Sequence, residues 1–257
     1  YLIQGLKAIF LLHKYDLVIS HGMQSAVVVA WWQRIFYHRK VKHIVFDIGC
    51  FNSAATKGFV FHLMQKISHS IDGFIFHVKN QINYYKQYYP WIVNKCRFIP
   101  FGADFDFYSK FKGNTNNAIS QYIIVIGKSK SDWLFAANAF LRANVPNLKI
   151  LFVGGFDKRI AKYKNVEQME YLDIDKLLPL IFGALFCFMP LEQMPFSFGQ
   201  MRLLQQMSMG KCILVSRISS LIDYGVDGED VVFYTNNDYQ DCSTKIRLIA
   251  SSEILRK

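Results

Sequence analysis

Short apolar runs bounded by turn residues alternate with longer amphipathic stretches along the whole chain, and no other feature constrains the fold as strongly. A run such as YIIVI at Tyr122–Ile126 has two apolar faces to bury, and a parallel sheet covered by helices on both sides buries them. Strands are predicted at 17–20, 43–47, 73–76, 97–100, 122–126, 148–153, 184–189 and 212–216. Helices are predicted between them at 24–37, 80–89, 132–143, 175–182 and 198–209, the last followed by Gly210 as a left-handed cap.

At 257 residues and 52% apolar, the chain is neither a disordered tail nor a disulfide scaffold, and it can fill two ordinary domains. The polar, aperiodic stretch 110–120 (KFKGNTNNAIS) reads as a linker, giving domains 1–113 and 114–257. Charge shifts at the same place: through Thr115 there are 14 Lys or Arg against 5 acids, and afterwards 16 against 14. The basic first domain is therefore expected to face something anionic, such as a lipid headgroup surface, a phosphorylated acceptor or nucleic acid. The alternative is that lysines keep an aromatic-heavy chain soluble.

Five scattered cysteines without a C-x-x-C or zinc-ligand spacing fit reduced thiols and a cytoplasmic setting, and no metal site is expected. The longest apolar stretch, 177–191, is interrupted by Pro179 and Pro190 and falls short of the about 20 residues a spanning helix needs. No signal peptide is recognisable. Opening on Tyr1 and closing at Lys257 in what reads as a helix, the chain has the look of a fragment.

Residues 190–211 carry the most chemistry. A buried strand ends at Pro190, a loop follows, and a helix is expected to open at Ser197, with Ser197 and Gln200 at capping-box spacing. Gly199 would let a ligand approach the backbone. Free N–H groups over Ser197, Phe198, Gly199 and Gln200, at the positive end of the helix dipole, would then suit a phosphate. Any capped amphipathic helix shares these features, so they do not single out one function.

The run LLQQMSMGKCIL, beginning at Leu203, resembles the L-L-E-A-M-A-x-G-x-P-V-I helix of retaining glycosyltransferases of the two-domain GT-B fold, the group 1 or family 4-like enzymes. Four further stretches match in order: RFIPFGAD from Arg97, YIIVIGK from Tyr122, LKILFVGG from Leu148 and DYGVDGEDVVFY from Asp223. The resemblance implies an α/β protein of two Rossmann-like domains facing a cleft. The N-terminal acceptor-side domain would be truncated, missing a βα unit with its Gly-rich loop, and the C-terminal domain would hold the donor.

It also implies roles for single residues. Lys128 and Lys130 would bind the donor diphosphate with the Ser197–Gln200 turn, although the family's usual Arg in that loop is absent. Gln205 would meet the ribose hydroxyls. The family's two glutamates, seven residues apart, are Ser197 and Gln205 by register, which leaves Glu192 as the nearest carboxylate for the transferred sugar. His21 and Asp47, each closing a predicted strand, would be catalytic groups facing the acceptor.

The expected function is metal-independent transfer of a hexose-type sugar, with retention, from a nucleotide diphosphate sugar to a glycan or lipid-linked acceptor, as in polysaccharide biosynthesis. No cofactor is implied beyond that substrate, and peripheral contact with the anionic inner membrane face is expected. The alternative is a catalytically silent GT-B protein that binds sugar nucleotide or glycan. Nucleic acid is not the expected partner, since no basic helix, RNP or zinc-finger pattern is present.

Overall fold

The computed structural model describes residues 2–36, 41–48, 56–110, 121–194 and 196–256. They form two compact α/β units: Tyr1–Phe101 with Met194–Phe198, and Gly102–Gln193 with Gly199–Lys257. The expected boundary at 113/114 and nearly all of the expected linker lie outside the described residues.

In the first unit, helix α1 (Leu2–Leu11) precedes β1 (Leu17–His21), α2 (Met23–Ile35), β2 (Lys42–Asp47), α3 (Phe59–Ser68), β3 (Gly73–Phe76), α4 (Gln81–Tyr88) and β4 (Cys96–Phe98). The four strands pair in parallel in chain order. Val45, Phe74, Phe76, Met64, Tyr85 and Tyr89 fill its core.

The second unit begins with α5 (Phe105–Ser109), β5 (Tyr122–Ile126), α6 (Trp133–Ala143), β6 (Lys149–Val153) and β7 (Val166–Met169). It continues through α7 (Ile174–Gly183), β8 (Cys187–Met189), α8 (Gln200–Ser208), β9 (Ile213–Ser216), β10 (Val232–Tyr234) and α9 (Tyr239–Ser251). Its six parallel strands lie in the order β10-β9-β8-β5-β6-β7. The chain therefore winds one way from β5 and the other way from β8. In open parallel sheets, ligands bind beyond the carboxyl ends of the strands at such a reversal.

Local chemistry explains several boundaries. Asp132 accepts from Phe135 N at 2.9 Å and starts α6, and Asp238 accepts from Gln240 N and Asp241 N and starts α9. Gly210 has φ +66°, the left-handed conformation expected after α8. The expected helix at Lys257 is absent from the described part: α9 stops at Ser251, and Ile254–Arg256 is a single 3-10 turn.

The start of α8 departs from expectation. The helix opens at Gln200, with Gly199 rather than Ser197 as N-cap, at φ +89°. Gln200 turns inward instead and donates from Nε2 to Ser220 O at 2.9 Å. A side chain on Gly199 would stand 2.5 Å from Leu191 Cδ1 and 3.4 Å from Leu221, so this glycine serves close protein packing rather than the approach of a ligand.

Candidate functional site

The strand reversal lies between β5 and β8, and the loops that leave these strands are zipped together. Asp132 N donates to Pro190 O at 2.8 Å, Glu192 N donates to Lys130 O at 3.1 Å, and Ser131 bridges Leu191 in antiparallel fashion. The Ser216 hydroxyl at the end of β9 holds the far side, accepting from Leu191 N at 3.1 Å and donating to Leu191 O at 2.8 Å. Gln193 Nε2 donates to Ser219 Oγ at 2.6 Å. Two loops that could each wander are thus fixed by backbone hydrogen bonds, which places their side chains without an adjustable hinge.

Glycines line the strand ends. Gly127 follows β5 at φ +75°, and its N donates to Val153 O at 2.6 Å. Gly154 (φ +123°) and Gly155 (φ +137°) follow β6, and both donate to Met169 O. The backbone passes so closely here that a Cβ on Gly154 would stand 3.0 Å from Gly127 Cα.

The expected donor residues fall into this frame unevenly. Lys128 and Lys130 are exposed in the β5–α6 loop, and Lys130 has φ +54°. Lys128 Nζ donates to Phe156 O at 2.5 Å and stands 5.9 Å from the Trp133 ring centroid. Glu192 is exposed, and Gln205 on α8 is half-buried; neither side chain has a hydrogen-bond partner among the described residues. Ser197 and Phe198 group with the first unit, whereas Gly199 and Gln200 group with the second.

Asp157, just past Gly155, accepts from Arg159 Nη2 at 2.7 Å and from Arg159 N at 3.0 Å. The hydrogen bond from the Arg159 side chain holds the Asp157 carboxyl down at about 2. A carboxyl depressed on folding stabilises the protein above its unfolded value of about 3.9 and loses that contribution as pH falls toward 2. Asp157→Asn is expected to lower the thermal midpoint by about 3 °C at pH 7, a modest effect because Arg159 is exposed to solvent. The difference from wild type should close between pH 4 and pH 2; a constant gap across that window in calorimetry would refute the assignment.

In the first unit the two expected acceptor-side groups part company. His21 is exposed at the end of β1, with its ring 6.3 Å from that of Phe46. Asp47 is fully buried: it accepts from the Tyr85 hydroxyl and from Gln81 Nε2 at 3.0 Å. Burial first, and then the Asp47 charge, push the Tyr85 phenol well above its ordinary value, so Tyr85 stays a donor. Asp47 is thereby corrected from an acceptor-facing catalytic group to the acceptor of an internal hydrogen-bond cluster. Sequence position gave it a strand end, but α4 closes over that end.

Sequence reasoning missed Arg202. It is the only charged residue in α8 (QMRLLQQMS), and a Cβ on Gly127 would meet its Nη2 at 2.3 Å. The usable signal was a lone charge on an otherwise uncharged helix that follows a buried strand.

Elsewhere, a cavity of about 230 Å³ lined by Lys211, Asp230 and Arg256 lies near the amino ends of β9 and β10. Its two cations are occupied: Lys211 caps Phe182 O and Ala184 O, and Arg256 caps Ile249 O and Ala250 O. Among the described residues, no helix is long and apolar enough to cross a membrane, and no group of three His, Cys, Asp or Glu comes together to hold a metal ion.

No protein-family model and no curated protein sequence matches the chain. Solved structures do. Anabaena HepE in complex with UDP and glucose superposes with a TM-score of 0.78 at 13% identity, over 98% of this chain and 73% of that one. Sucrose-phosphate synthase from Thermosynechococcus elongatus gives 0.72 at 16% identity, over 99% and 69%. The catalytic domain of Arabidopsis thaliana starch synthase IV, bound to ADP and acarbose, gives 0.72 at 10% identity, over 97% and 70%. Two parallel α/β units, a second sheet that reverses at β5 and β8, and superposition along nearly the whole chain together show that this protein has the GT-B glycosyltransferase fold.

Proposed function

We propose that the protein transfers a hexose-type sugar, with retention and without a metal, from a nucleotide diphosphate sugar to a hydroxyl of a glycan or lipid-linked acceptor, as a step of polysaccharide assembly. The observation that carries this reading is the reversal point of the second sheet, where the exposed Lys128 and Lys130 follow the glycine turn at Gly127 as the chain leaves β5. Solved proteins of this fold hold UDP, UDP-glucose or ADP, which supports a nucleoside diphosphate as the ligand class.

In this reading the anomeric C–O bond to the diphosphate breaks and its electron pair leaves on the phosphate oxygen. The acceptor oxygen forms the new bond to the anomeric carbon, and its proton passes to the departing phosphate. Lys128 swings from Phe156 O to the diphosphate, and Lys130 adds a second charge. The first-turn N–H groups of α8, without intrahelical partners, supply further donors. Gln205 meets the ribose hydroxyls, Glu192 is the unpartnered carboxylate available to the transferred sugar, and His21 is the group the first unit offers to an acceptor hydroxyl.

Millimolar UDP, GDP or ADP is expected to raise the thermal midpoint, because a ligand that binds only the folded state stabilises it. Lys128→Ala should lower kcat/KM for the preferred sugar nucleotide by about 100-fold, with turnover unchanged in EDTA. If none of the three diphosphates moves the midpoint, the donor site is refuted; binding without any release of nucleotide from sugar nucleotides would leave a silent binding protein.

A further inference from the structure

Arg202 is a half-buried cation without a counter-charge. Its Nη1 is sealed from solvent without a hydrogen-bond partner, and no hydrogen bond or ion pair of this side chain is formed among the described residues. Burial pushes the guanidinium down to about 10, and no carboxylate stands close enough to offset it. It remains charged at neutral pH. A cation partly removed from water without a counter-charge opposes folding, and an anion arriving from outside would satisfy it.

The surroundings fit one kind of partner. The guanidinium lies against Gly127 at the carboxyl end of β5, where any side chain on that glycine would strike Nη2. Gly154 and Gly155 line the neighbouring strand end, and a Cβ on Gly155 would stand 3.6 Å from Lys128 Cδ. The zipped loop from Gly127 to Asp132 also carries the Ser131 hydroxyl, buried without a partner. A planar fork with fixed donors beside bare glycine backbone suits phosphate oxygens better than a lysine point charge does.

We propose that Arg202 is the fixed cation of an anion seat at the carboxyl ends of β5 and β6, and that it takes a phosphate of a diphosphate group. The identity of that ligand rests on the glycosyl-transfer reading, whereas the charge requirement does not. Arg202, reaching in from α8, thus supplies the guanidinium that the β5–α6 loop lacks.

The test is calorimetric titration of the full chain with inorganic pyrophosphate, UDP and uridine. Arg202→Met should weaken pyrophosphate and UDP about 100-fold while uridine is unchanged, with Arg202→Lys in between. The ligand-free Arg202→Met protein should melt about 3 °C higher than wild type, because a half-buried charge without a counter-charge is gone. Gly127→Ala retains the charge but evicts the guanidinium, and it should reproduce the binding loss; it serves as the second variant should Arg202→Met fail to fold. If Arg202→Met binds pyrophosphate and UDP within threefold of wild type, the seat is refuted while the glycosyl-transfer reading stands. If wild type binds pyrophosphate through Arg202 but neither UDP, GDP nor ADP, the seat stands and that reading falls. If wild type binds neither pyrophosphate nor UDP, both fall.

Discussion

Gly154→Ala is expected to destabilise the protein by about 3 kcal/mol and to lower its thermal midpoint by about 9 °C. At φ +123° an L side chain is strained whatever space surrounds it, and here there is little. The added carbon would stand 3.0 Å from Gly127 Cα and 3.2 Å from Gly127 N, both backbone atoms that cannot rotate away. Gly127 is itself held by its hydrogen bond to Val153 O, so relief would have to part the ends of β5 and β6. Gly210→Ala supplies the comparison. That glycine also has positive φ (+66°), but nothing lies within 4 Å of its Cβ position, so the cost falls to about 1 kcal/mol. Denaturant unfolding of the two variants checks the claim: equal losses would mean that close backbone approach at Gly154 contributes nothing.

Asp47→Ala should cost about 3 kcal/mol, because the Tyr85 hydroxyl and the Gln81 amide would lose a shared acceptor inside the first core. Asp47→Asn keeps an oxygen to accept from one of them and should cost about 1 kcal/mol. The pair also separates structure from catalysis. With Asp47 sealed at 0% exposure, the Asn variant should retain the proposed sugar transfer close to wild type once folded. A loss of turnover in Asp47→Asn without a matching loss of stability would restore the carboxylate to the reaction.

The strands whose positions were legible are those with continuous apolar runs between turn residues. Gly73–Phe76 and Tyr122–Ile126 lie where the pattern puts them, because every residue of each is buried or half-buried. Val166–Met169 was missed for the opposite reason: it is the edge strand of its sheet, with alternate residues exposed, and Val-Glu-Gln-Met carries no apolar run. Helices α1, α3 and α5 were also missed, and the helix read at the C-terminus lies earlier, at Tyr239–Ser251.

The site divides along the same line. Sequence alone determined the parallel α/β class, the strand ends at Gly127 and Gly155, and the loop lysines, because burial of two-faced strands and left-handed turns leave local marks in residue type. Only tertiary structure decided that Gly199 serves Leu191, that Asp47 faces inward to Tyr85, and that Arg202 stands unpaired against Gly127. Each of these depends on which residue distant in the chain arrives at a given atom. Burial and counter-charge are properties of that meeting, and no local spacing records them.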